Sequence, residues 1–203
     1  MKTVLKGMFK RKLTLDARIH DCIALSLKLL DLFLSKPGHE QLAGEFDSVC
    51  ALETEQENLC ETFVEDIDRK YSLPFYWEDI YSVFLDLKKL FSLLIVYYNK
   101  TCIFKNPKSF SRFFQIQRNI LLNAAAFFSE YRNKRLYVAE VLKNNNFEMK
   151  NFSKAYFNAV TGIINFGEES MTCMNILTLF ERINEINENL QDSMKKIYID
   201  TNL

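Results

Sequence analysis

Turn-forming residues are scarce in this sequence: 203 residues hold five glycines and three prolines. A fold of many short strands needs far more of both, so long helices are expected. Histidine is scarcer still, at two, and neither His20 nor His39 lies near the carboxylates considered below as ligands. That excludes a Glu-x-x-His di-iron box and leaves no Ser-His or Cys-His constellation for nucleophilic catalysis. Five cysteines stand at positions 22, 50, 60, 102 and 173, an odd count without a Cys-x-x-Cys pair. A disulfide framework or zinc knuckle is not expected, and buried reduced thiols in a cytosolic protein are. Long apolar runs are missing too. The longest, Phe91 to Tyr98, has eight residues, far below the roughly 20 that cross a bilayer. The basic N-terminus lacks a continuous apolar segment and a small-residue cleavage site, so it does not read as a signal peptide. A soluble protein is expected.

What is present is helix-forming and bulky: 48% of residues are hydrophobic, with 18 Phe and nine Tyr. One sizeable core is expected, and the length is short for two full domains. The 26 basic and 26 acidic side chains cancel, but unevenly along the chain. Residues 1–20 carry six bases and one acid, residues 37–68 ten acids and no Lys or Arg, and residues 99–154 eleven bases and three acids. Such segregation suits either docking between charged surfaces or acidic and basic helices lying side by side in one bundle. In the 99–154 stretch apolar residues dilute the bases, and nucleic-acid binding is not expected.

Periodicity and punctuation predict six helices: from about Thr14 to the stop at Pro37-Gly38; Glu40 to Tyr71; after Pro74 to about Asn99; Ser109 to about Lys143; Phe147 to Gly167; and Thr172 to Ile199. Asn144-Asn145-Asn146 reads as the turn between the fourth and fifth. The layout suggests a single all-α domain of two pseudo-repeated three-helix halves, 1–100 and 101–203. The pairs Phe113-Phe114 and Phe127-Phe128 recur among Ile and Leu at helical spacing and are read as core.

In the second helix, Val49, Leu52, Leu59, Cys60, Phe63 and Ile67 form one stripe, with Gln56 in its middle. Glu53 and Glu57 lie on the stripe's edge one turn apart, where two carboxylates can share a cation. In the third helix Asp79 and Asp86 border the core stripe. If these helices are antiparallel neighbours, Glu53, Glu57 and Asp86 can converge. In the sixth helix Glu181, Glu185, Glu188 and Asp192 line up opposite the apolar face. They read either as a solvated face or as an all-oxygen site for a hard cation such as Mg²⁺ or Ca²⁺, or for carboxylate-bridged iron.

Three stretches, LETEQENLCETF (52–63), LPFYWEDIYSVFLDL (73–87) and LFERINEINENLQDSMKKIYI (179–199), resemble in order and spacing the PhoU-like phosphate-transport regulators. The similarity is greatest to the accessory proteins of Pit-type phosphate transporters. The resemblance implies two three-helix bundles, a homo-oligomer such as a dimer, and action by contact with a transporter or a signalling protein rather than by catalysis. Membrane contact would be indirect, through that partner, on the cytoplasmic face. Some members bind metal clusters, and on that pattern Glu53, Glu57, Asp86, Glu181 and Glu185 are the candidate metal ligands. The sequence departs from the pattern. Leu90 stands where an acid is expected, Glu57 and Glu185 replace aspartates, and residues 149–167 contain no acid. Because a hard cation needs several anionic oxygens, weak binding of a divalent or iron cation, or none, is expected. The alternative is a helical oligomerisation module that has lost the metal role.

Overall fold

The structure is a computed structural model, and it describes residues 2–35, 44–68, 77–103, 110–166 and 170–202. Among these there are six helices and no strand: α1 (Lys2–Ser35), α2 (Phe46–Asp68), α3 (Trp77–Ile103), α4 (Ser111–Glu130), α5 (Arg135–Phe166) and α6 (Ser170–Asn202). The all-α bundle expected from the sequence is what the chain forms. The predicted punctuation at Pro37-Gly38, Pro74 and Pro107 lies outside the described residues.

Helices α1, α3, α4 and α6 enclose a core dense in aromatic side chains. Phe33 of α1 packs on Tyr97 of α3 and Phe114 of α4, with ring centroids 5.3 and 5.1 Å apart. Phe180 of α6 stacks on Phe113 at 4.2 Å and closes the cluster. Both Phe pairs assigned to the core are buried there. Arg118 of α4 reaches Asp31 of α1 at 2.6 Å. Arg132 and the Tyr131 hydroxyl, just past α4, both bond to Asp16 near the middle of α1.

Two groups of three helices follow the chain order, but their internal packing differs. In the first, α1 is central and touches both α2 and α3, while α2 and α3 barely meet. In the second, α5 is central between α4 and α6. The two groups join through α1 against α4 and α3 against α6.

The boundary between the fourth and fifth helices is displaced. The fourth helix ends at Glu130 rather than near Lys143, the turn is Tyr131–Lys134, and α5 runs unbroken through Asn144-Asn145-Asn146. The cause is tertiary. Asn145 is fully buried and donates to Gln191 of α6 at 2.6 Å, while Gln191 donates to the Leu142 carbonyl at 3.2 Å. Asn in a turn satisfies its amide on its own backbone. Here a neighbouring helix supplies the partner and the turn preference is overridden. Similarly, α1 begins at Lys2 and passes through Thr14, which is no cap.

Candidate functional site

Phe63 of α2 lies flat on Phe84 of α3, with centroids 3.6 Å apart and planes within 2°. From that stack the two helices diverge and leave a groove of about 750 Å³. Its α2 wall is Glu53, Gln56, Glu57, Cys60 and Glu61, and its α3 wall is Lys88, Phe91, Ser92, Ile95, Val96 and Asn99. The sequence dictates this layout. Glutamates at 53, 57 and 61 recur one turn apart and form a single rim, while Phe91 and Ile95 share a phase and form an apolar floor. All three glutamates are exposed, and among the described residues no ion pair engages them. With Lys88 opposite, three acids and one base leave the groove a formal −2.

Gln56, in the middle of the α2 stripe, is buried at 5% exposure on the groove floor. Its amide nitrogen faces two thiols, Cys22 of α1 at 3.7 Å and Cys60 at 3.9 Å. Among the described residues its carbonyl oxygen has no hydrogen-bond partner. Burial pushes the Cys22 thiol up to about 12 against the help of the Gln56 contact, and burial likewise raises Cys60. Both thiols stay protonated at neutral pH and are poor nucleophiles and poor metal ligands.

The candidate ligands are not gathered at one point. Glu53 and Glu57 line the groove, but Asp86 does not. It sits two residues before Lys88, on the far side of α3, because two residues rotate a helix by more than half a turn. Asp79, two turns earlier on the same face, feels the charges of Lys196 and Asp200 of α6, so this face looks toward α6 and away from α2. Asp86 is 4% exposed and meets Lys89 at 3.5 Å. Burial raises its pKa more than the lysine lowers it. Asp79 lies in the first turn of α3, where an acid favours the helix dipole. Glu181 and Glu185 are exposed on α6, a separate surface, with Glu181 close enough to Tyr156 to help raise its hydroxyl pKa after burial. Among the described residues no three His, Cys, Asp or Glu side chains are grouped so as to hold an ion. The donor set of the groove, glutamates spaced along one rim with a lysine opposite, suits a cationic surface better than a compact ion.

Two features have a weaker signal in the sequence than the acids do. Lys88 is one of two adjacent lysines in an amphipathic helix, and only its phase with Phe91 and Ile95 marks it as part of the groove. The other is the outer face of α5. Among the described residues no helix is long and apolar enough to cross a membrane. No protein-family model matches the chain, and no curated protein sequence matches it.

Proposed function

We propose that this chain is a non-enzymatic regulatory protein that acts by protein contact, and that its role is accessory to phosphate transport, as the PhoU-like resemblance of residues 52–63, 73–87 and 179–199 implies. The observation that carries the reading is the groove. Where the resemblance implies an ion site, this chain holds a long cleft with an apolar floor and a rim of exposed glutamates. Such a surface recognises a cationic, amphipathic segment, and the cytoplasmic loops of transporters are rich in Lys and Arg. On this reading the protein works in the cytoplasm and meets the membrane only through its partner.

The test is phosphate uptake in cells with and without the protein, beside co-purification with the phosphate transporter encoded in the same cell. Uptake should change on deletion, and Glu53→Lys/Glu57→Lys should abolish both co-purification and complementation. Unchanged uptake together with no co-purification would remove the reading. Elemental analysis and thermal melts with Mn²⁺, Fe³⁺ or Mg²⁺ test the metal side. Neither bound metal nor a shift in melting is expected, and metal lost from Glu53→Gln would restore an ion-dependent mechanism.

A further inference from the structure

The outer face of α5 carries a second surface, of opposite sign. Leu136, Glu140, Lys143, Phe147, Lys150, Lys154 and Phe157 follow one another at alternating four- and three-residue steps, so they form one stripe along the helix. All are exposed, and the apolar ones heavily so: Leu136 at 89%, Phe147 at 62% and Phe157 at 70%. Two phenylalanines open to water on one helix face are unusual in a monomer. Three lysines against one glutamate give the stripe a formal +2. Among the described residues no ion pair engages Lys143, Lys150 or Lys154, although Lys150 also lines a cleft with Glu188 and Asp192 of α6.

We infer that the stripe on α5 of one copy docks in the α2–α3 groove of a second copy. Charge is complementary, +2 against −2. Extent also matches. The groove runs from Glu53 to Glu61 and from Lys88 to Asn99, about 12 to 17 Å, and Phe147 to Phe157 spans about 15 Å at the helical rise. Chemistry matches as well. The phenylalanines meet the Phe91, Ile95 and Val96 floor, and the lysines meet the Glu53, Glu57 and Glu61 rim. This is helix-in-groove recognition with the apolar anchors a few turns apart.

The contact joins two different surfaces, on helices that do not pack together within one chain. It is therefore heterologous, and copies add head to tail with concentration instead of closing through one self-complementary patch. A surface of this extent lies at the small end of specific interfaces, so association is weak and salt-sensitive. The inference goes beyond the regulatory reading and survives its failure, since it needs no transporter. If both hold, self-association and the transporter compete for one groove.

Sedimentation velocity over a wide concentration range tests it. The wild-type weight-average mass should rise with concentration past that of a dimer, and added salt should reverse the rise. The groove variant Glu53→Lys/Glu57→Lys and the stripe variant Lys143→Glu/Lys154→Glu should each stay monomeric, with association weakened about tenfold or more. Mixed together, the two variants should associate again, because the native stripe (+2) of the first meets the native groove (−2) of the second and the reversed groove (+2) of the first meets the reversed stripe (−2) of the second. Phe147→Ser/Phe157→Ser should also be monomeric without any change of charge. All substitutions are at exposed positions, and circular dichroism melts verify folding. A wild type that is monomeric throughout, or a closed dimer indifferent to both variants, would overturn the inference. So would a monomer whose stripe instead carries it onto anionic vesicles in flotation, which would make the occupant a lipid surface.

Discussion

Gln117 and Asn187 form a closed pair inside the bundle, and removing one partner should cost more than removing both. Gln117 of α4 is 1% exposed and Asn187 of α6 is fully buried. Each amide donates to the other's carbonyl, at 3.0 and 2.8 Å. Gln117→Met keeps the length and shape of the side chain but strips both hydrogen bonds from Asn187. A hydrogen bond contributes about 1 kcal/mol net, while a buried polar group left without a partner costs about 1–3 kcal/mol. Losing two bonds and stranding one amide is thus worth about 3–5 kcal/mol. For a chain of this length each kcal/mol moves Tm by about 2–4 °C, so a loss near 3 kcal/mol lowers it by about 6–12 °C. Asn187→Leu should cost a similar amount, with some overpacking added. The double variant leaves no amide stranded and should be clearly more stable than the sum of the singles predicts, with a coupling of about 2 kcal/mol. Urea titrations of the four proteins measure it. Strict additivity, or a Gln117→Met cost under about 0.5 kcal/mol, would mean that water satisfies the pair and that the buried amides do not set the helix register.

Asp86 gives a pH signature. Its pKa is raised by burial in the folded state, so its contribution to stability is fully present below the unfolded carboxyl pKa and is lost as pH rises through the folded value. Asp86→Asn should therefore stabilise by about 1 kcal/mol at pH 7, with the gain shrinking toward pH 4, and an equal Tm change at both pH values would refute the account. Cys22 behaves in the same sense at high pH. With the thiol pushed from 9.0 to about 12, stability should fall as pH rises across that window, and Cys22→Ala, although less stable at neutral pH, should show a flatter fall. At pH 8 Cys22 should resist alkylation until the protein unfolds, and rapid labelling of the native state would show that the α1–α2 seam opens. The α2 helix packs chiefly on α1, with Phe63 as its main anchor to α3. Its amides should exchange with solvent faster than those of α4, and equal protection would place α2 in the same cooperative unit as the core.

Much of the core was legible because its signals are local. Ile19, Ile23, Leu27, Leu30 and Leu34, or Ile80, Val83, Leu87, Leu90 and Leu94, declare an apolar face through spacing alone, and all are buried except Leu27 and Leu34, which are partly buried against the core. The scarcity of Gly and Pro declared the helices. Boundaries that depend on a distant partner were not legible. Asn144-Asn145-Asn146 has a strong turn propensity of its own, and nothing near it in sequence tells that Gln191, some 46 residues on, will take up Asn145.

That single misplacement also hid a surface. A turn at 144–146 cuts the α5 stripe in two, leaving Leu136, Glu140 and Lys143 on one helix and Phe147, Lys150, Lys154 and Phe157 on another. Each fragment is then too short to show a face. Once the helix is continuous, the seven positions fall into one register and the exposed phenylalanines become a feature to be explained. The expected convergence of Glu53, Glu57 and Asp86 fails for a related reason. Glu53, Glu57 and Asp86 converge only if the α2-facing side of α3 carries Asp86, and periodicity locates the border of a buried stripe without saying which neighbour covers which edge. Here α6 covers the edge with Asp79 and α2 flanks the edge with Lys88. A lysine therefore faces the glutamates where an aspartate was expected. The groove is acidic with a basic counterweight, the charge pattern on which the proposed docking rests.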